Sequence, residues 1–181
     1  MCAPEHFRVD YAINPWMDPA AVVDVDLARA QWDRLVEVLE QAGARIERIA
    51  GRTDCPDMVY AMNYGLVDGD RVAMTTFRHH ERAAEAEAAA RWFADRGLRP
   101  AKIVVGAGTA FEAGDAFLFG DALLVSAGPR TDRAAHAELA RRLDVRVVPV
   151  EIVHPAYYHL DLSFCPLDET KAIIAPGAWS P

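Results

Sequence analysis

Cysteine is scarce in this chain. Cys2, Cys55 and Cys165 are the only three, an odd number with no CxxC spacing. A disulfide framework or a zinc site needs paired thiols, so both are excluded as organising principles and a reducing, cytoplasmic setting is expected. No apolar run approaches the roughly twenty residues of a membrane-spanning helix, and MCAPEHFRVDY at the N-terminus lacks the pattern of a signal peptide. Basic residues form no run, no RNA-binding motif is present, and the formal net charge is -8, which argues against a nucleic-acid surface. The six histidines contain no HExxH or comparable metal-binding set.

What is present is an ordinary globular composition, 52% hydrophobic and 25% charged, over 181 residues. That length suits one sizeable domain, and residues 1–181 are read as a single one. DLARAQWDRLVEVLEQAGARIERI places Trp32, Leu35, Val36 and Leu39 on one helical face, with Gly43 as its stop and a short strand at 46–49. YGLVDGDRVAMTT then reads as two strands around Asp68-Gly69-Asp70, followed by a helix ending at Gly97 and the strand KIVVG. The same order recurs as the hairpin DAFLFGDALLVSAG, the helix TDRAAHAELARRLD and the strand VRVVPV. A third hairpin, HLDLSFCPLDETKAIIAP, leads to PGAWSP, where a helix should begin. Asp70, Asp121 and Asp168 mark turns about fifty residues apart, a spacing that signals repeats. The expected fold is therefore α/β, with a leading αβ piece, two ββαβ units and a third unit left incomplete at the C-terminus. Such units bury their apolar faces only against neighbours, so a ring or stack follows. An open strand edge would need covering by a homo-oligomer or a complementing C-terminal segment.

The first strand of each copy opens on a polar residue, Asn63, Asp115 or Asp161, preceded by Asp57, Glu112 or His159. In a radially repeated fold these entrances converge, and gathered carboxylates and imidazole shift one another's pKa as catalytic groups do. His159 and Asp161, two apart along a strand, would share a face and could act as a proton shuttle. The plainer reading makes His159 a buried histidine on a backbone carbonyl and FEAGD a turn with solvated Glu112 and Asp115. Arg130 in GPRT and Arg78 in TTFRHHER are either surface residues or clamps for a substrate carboxylate. GAGTAF lacks the third glycine of a dinucleotide fingerprint and precedes a hairpin, so it is rejected. His79 and His80 are adjacent and diverge, which makes them helix-start residues and not a metal pair. Cys165 lies too far along its strand to serve as a nucleophile.

FRVDYAINPWM, PDMVYAMNYGLV, FEAGD, GPRT and HLDLSFCPL, in that order across the chain, resemble the guanidino-group modifying superfamily, with the nearest likeness to bacterial dimethylargininase-like proteins. The superfamily also holds arginine deiminases and amidinotransferases. The resemblance implies a five-bladed α/β propeller (pentein) of ββαβ units, here partial. It also implies hydrolysis of a C–N bond in a small guanidino compound through a covalent thiol intermediate, with neither a metal nor an organic cofactor. It casts Glu112 as the catalytic carboxylate, His159 as the catalytic histidine and Asp161 as a guanidinium-binding aspartate. Asp57 falls at an acidic substrate contact and Arg130 at a substrate-carboxylate arginine, with Asn63, Asp115 and Arg78 as further binding candidates. Two departures stand out. None of the three cysteines matches the family's nucleophile, which comes near the C-terminus, and Met62-Asn63 replaces acidic residues of well-studied hydrolases. The expectation is the acid–base and binding half of an amidinohydrolase, inert alone. The alternatives are a non-catalytic truncated binding or scaffold protein of this fold and an amidinotransferase.

Overall fold

The computed structural model describes residues 1–103 and 106–180 and divides the chain into two compact units, Met1–Ala61 and Met62–Pro181. The first is built on helix α1 (Val25–Gln41). Asp24 caps it, its carboxylate accepting the Leu27 N–H at 2.9 Å and so satisfying one of the donors a helix N-terminus leaves open. At the other end Gly43 takes φ +91°, its N–H bonds to the Glu40 carbonyl, and the Ala44 N–H reaches back to Leu39, the pairing of a Schellman stop. Trp32 and Val36, one turn apart, are buried, and the Arg29 and Arg48 guanidinium groups lie over the Trp32 ring. Leu35 is 49% exposed, so the apolar stripe is narrower than expected: a unit of this size covers only the line of side chains through Trp32. The expected strand at 46–49 is reduced to one parallel bridge between Cys2 and Ile49; Pro4, two residues on, has no N–H to continue a ladder.

The second unit contains the expected repeat. Strands β1 (Gly65–Asp68) and β2 (Arg71–Met74) form an antiparallel hairpin. Helix α2 (Ala83–Ala94) crosses over to β3 (Arg99–Lys102), which lies parallel to β2. The second copy repeats this with β4 (Ala116–Phe119), β5 (Ala122–Ala127), helix α3 (Ala135–Leu143) and β6 (Arg146–Glu151). A third hairpin, β7 (Phe164–Pro166) and β8 (Ala172–Ile174), leads to a 3-10 turn at Pro176–Ala178 where a helix was expected. The sheets are separate: β1-β2-β3, β4-β5-β6 and β7-β8. Of the expected strand KIVVG, Val104 and Val105 lie outside the described residues. GAGTAF forms a turn and not the start of a helix, which agrees with its rejection as a nucleotide motif.

The two full copies match down to their salt bridges. Arg99 and Arg146, each the first residue of a third strand, bind the hairpin-turn carboxylates Asp70 and Asp121 at 2.7 and 2.8 Å. Such exposed pairs add little stability and here only mark equivalence. The main core packs Leu139, Leu143 and Ala135 of α3 against Leu123 and Val125 of β5, with Phe111 at its centre and fully buried. Burying a phenylalanine contributes about 1.5–3 kcal/mol, which anchors the segment that carries Glu112 next to it.

All three helices stop on a left-handed residue: Gly43, Gly97 at φ +78° and Asp144 at φ +55°. Only the third lacks glycine, and a side chain there costs conformational energy of about 1 kcal/mol. Asp144→Gly is expected to raise the melting temperature by a few degrees in thermal denaturation; a fall would mean that the Asp144 side chain makes a stabilising contact.

Candidate active site

Each first strand is entered through a single 3-10 turn: Ala61–Tyr64, Ala113–Asp115 and Leu160–Leu162. This corrects two expectations. His159 precedes a 3-10 turn and Asp161 lies within it, so they are not alternate residues of a strand; the chain bends before it pairs. The hairpin glycines Gly69 and Gly120 are 51 positions apart, so Asn63 corresponds to Gly114, and Asp115 corresponds to Tyr64 and not to Asn63. The buried hydroxyls Thr75 and Ser126 are equivalent by the same offset.

These turns are tied from one copy to the next by side chain–backbone hydrogen bonds. Asn63 Oδ1 accepts the Gly114 N–H at 2.8 Å. The Thr75 hydroxyl donates to the Asn63 carbonyl and accepts the Ala113 N–H. Asp115 Oδ1 accepts the Leu160 N–H at 2.9 Å and the Ser126 hydroxyl. Gly114 is the closest point. A Cβ there would stand 2.5 Å from Asn63 Oδ1, 2.8 Å from Asp161 Oδ2 and 3.1 Å from His159 Nδ1, so three polar side chains converge on one bare Cα.

Beside it lies Glu112, fully buried instead of solvated. Its Oε1 accepts the Arg78 backbone N–H at 3.0 Å; its Oε2 accepts Arg130 Nη1 at 3.0 Å and His159 Nε2 at 2.8 Å. Burial pushes this carboxyl up, but the bond from His159, the charges of His159 and Arg130 and the Arg78 N–H outweigh it and hold it at about 2. An ionised carboxylate only accepts, so His159 Nε2 carries the hydrogen of their bond. Nδ1, which faces Gly114, is left as the atom that can exchange a proton. Asp161 is pushed to about 6, chiefly by burial, against the pull of His159 and with the help of the Asp115 and Glu112 charges. Burial also raises Asp115, against His159, Ser126, Thr131 and the Leu160 N–H.

Arg130 is buried, which removes the surface reading: its guanidinium binds Glu112 and stacks 4.9 Å over the Tyr158 ring. Arg78 gives its backbone N–H to Glu112 and its exposed guanidinium to Asp132. His79 caps the 3-10 turn His80–Arg82, as a helix-start residue would. Asp57 belongs to the first unit, where it is buried and accepts the Tyr11 hydroxyl at 3.1 Å. Cys165 is exposed in β7, opposite Ile173, while Cys2 and Cys55 are buried in the first unit. Among the described residues no group of three or more His, Cys, Asp and Glu is arranged to hold a metal ion, and no helix is long and apolar enough to cross a membrane. Gly114, Thr75, Ser126 and Tyr158 were not singled out from the sequence. The recurrence of a hydroxyl residue at the same offset in both copies was the signal for two of them.

Residues 9–180 match a family profile described as N,N dimethylarginine dimethylhydrolase, eukaryotic. The chain belongs to the dimethylarginine dimethylaminohydrolase family. It is 40% identical to N(G),N(G)-dimethylarginine dimethylaminohydrolase of Mycobacterium tuberculosis, over 99% of this chain and 59% of that one. It is 36% identical to a bifunctional arginine dihydrolase/ornithine cyclodeaminase of a Nostoc species, over 99% of this chain and 26% of that one. The substrate-bound N-terminal domain of a cyanobacterial arginine dihydrolase superposes with a TM-score of 0.93 at 34% identity, covering 99% of this chain and 67% of that one. A dimethylarginine dimethylaminohydrolase adduct with S-methyl-L-thiocitrulline shares the mixed α/β fold, with a TM-score of 0.80 at 18% identity, over 96% of this chain and 67% of that one. The chain thus spans about three fifths of the curated M. tuberculosis relative, and these relatives are by name hydrolases of guanidino groups.

Two outcomes test this geometry. Gly114→Ala is expected to cost about 1–3 kcal/mol in denaturant unfolding, because the new methyl must displace Asn63 and Asp161 from a packed cluster; unchanged stability would show that the cluster yields freely. Asp161 binds its proton more tightly folded than unfolded, so between about pH 4 and 6 the native state holds the extra proton and stability falls as pH rises. Asp161→Asn should therefore add about 3 kcal/mol at pH 7.5 and almost nothing near pH 3.5. An equal effect at both pH values would place the cause elsewhere.

Proposed function

We propose that this chain carries the acid–base and guanidinium-binding half of an amidinohydrolase acting on arginine or a methylated arginine, within one partial propeller domain of a cytoplasmic enzyme. The observation that carries the reading is the fixed imidazole. Glu112 holds His159 by Nε2, and Nδ1 is left facing Asp161 across Gly114. Asp161 is the charged acceptor for the planar cation, since Glu112 is bound to Arg130 and His159, and Asp115 to Ser126 and Leu160. Asp115 is read as a positioning group for the turn that bears His159 and Asp161, while Asn63 completes the floor beside Gly114. Arg78, whose guanidinium is exposed beside Asp132, is assigned to the substrate's carboxylate, and Arg130 to holding Glu112.

The chemistry needs a thiolate, which we assign to a segment or chain other than residues 1–181. Its sulfur adds to the guanidinium carbon, and the C–N bond to the departing amine breaks as His159 Nδ1 gives that nitrogen a proton. Nδ1 then takes a proton from water, the hydroxide adds to the same carbon, and the C–S bond breaks to return the thiolate and release the ureido product. Glu112 supplies the opposite charge whenever Nδ1 is protonated.

Calorimetric titration of arginine and of asymmetric dimethylarginine into the protein at pH 6, in two buffers of different ionisation enthalpy, tests the binding half. A guanidinium docking on Asp161 draws its pKa down from about 6, so binding should release about half a proton. Turnover by the enzyme from its native source then tests the whole. Binding without proton release would remove Asp161 from the role.

A further inference from the structure

Arg130 and His159 approach the same oxygen of Glu112, at 3.0 and 2.8 Å. Two proton-bearing groups on one acceptor oxygen repel each other, so support from a neighbour on both strengthens the arrangement. The Tyr158 ring meets both: the Arg130 guanidinium carbon lies 4.9 Å from its centroid, and the His159 ring lies 5.0 Å away at an interplanar angle of 56°. An aromatic face attracts the guanidinium through its quadrupole while the ring's bulk closes off the rotamers that would swing either group away. The Glu112–Arg130–His159 cluster is almost wholly buried, whereas Tyr158 is only half-buried, so its ring forms the outer wall of the cluster.

We propose that Tyr158 is a positioning residue whose ring holds Arg130 and His159 on one oxygen of Glu112 and thereby fixes which imidazole nitrogen faces the substrate. The proposal rests on His159 being the proton-transferring group. It predicts that an aromatic ring at this position is enough to hold the pair.

The test is made on the full enzyme, with two readouts. The hydrogen that His159 Nε2 shares with a buried carboxylate gives a far-downfield proton NMR signal that needs no substrate. Tyr158→Leu is expected to broaden or abolish that signal and to lower kcat about tenfold or more with KM changed less than about twofold. Tyr158→Phe keeps the ring and should retain both the signal and kcat. If the leucine variant does not fold, Tyr158→Met keeps the volume without an aromatic face. A sharp signal and full kcat in the leucine or methionine variant would overturn the proposal, as would a phenylalanine variant as impaired as either. A rise in KM at constant kcat would also overturn it, by showing that the ring serves substrate binding. A native enzyme that turns over no guanidino compound defeats the proposed function, yet the NMR comparison still decides the role of Tyr158.

Discussion

The burial of one ionised carboxylate, Glu112, is the constraint from which the rest of the site follows. Taking such a group out of water costs on the order of several kcal/mol, and only strong donors offset it. The fold supplies three: a backbone N–H from Arg78, a guanidinium from Arg130 and an imidazole from His159. They come from three places along the second unit. Phe111, buried in the core next to Glu112 in sequence, anchors the segment on which they meet. Once Glu112 is fixed, the histidine tautomer is fixed, and with it the direction in which a proton can move.

The repeat makes this assembly possible without long connections. Each copy opens on a tight turn, and each turn gives a side-chain oxygen to the backbone of the next: Asn63 to Gly114, then Asp115 to Leu160. Backbone donors that the bent entrances leave unpaired are thus satisfied while titratable side chains are brought close to each other. The same crowding leaves no space at position 114 and raises Asp161 by burial. The cluster is thus held in a state that is costly for the protein.

The repeating order, the hairpin turns and the helix stops were legible in the sequence because glycine, aspartate and apolar periodicity impose local conformations that neighbours rarely override. The entrances were read as straight strands because a 3-10 turn of three or four residues has no periodicity to detect. Leu35 was placed on a buried face because periodicity gives the face of a helix and says nothing of how wide a stripe will be covered. The equivalence drawn between Asn63 and Asp115 failed for a similar reason: register between copies is set by hairpin geometry, and one residue of difference moves a side chain to another side of the turn.

By itself the sequence determined the ββαβ order and, through its ordered motifs, pointed to guanidino chemistry and to Glu112, His159 and Asp161 as residues to watch. The spatial decisions belong to the tertiary structure. It buried Arg130 against Glu112 and Tyr158, turned His159 so that Nδ1 is free, and made Gly114 the floor on which three side chains meet. Those facts depend on distances between segments tens of residues apart, and hydrogen-bond direction and desolvation exist only once those segments are packed together.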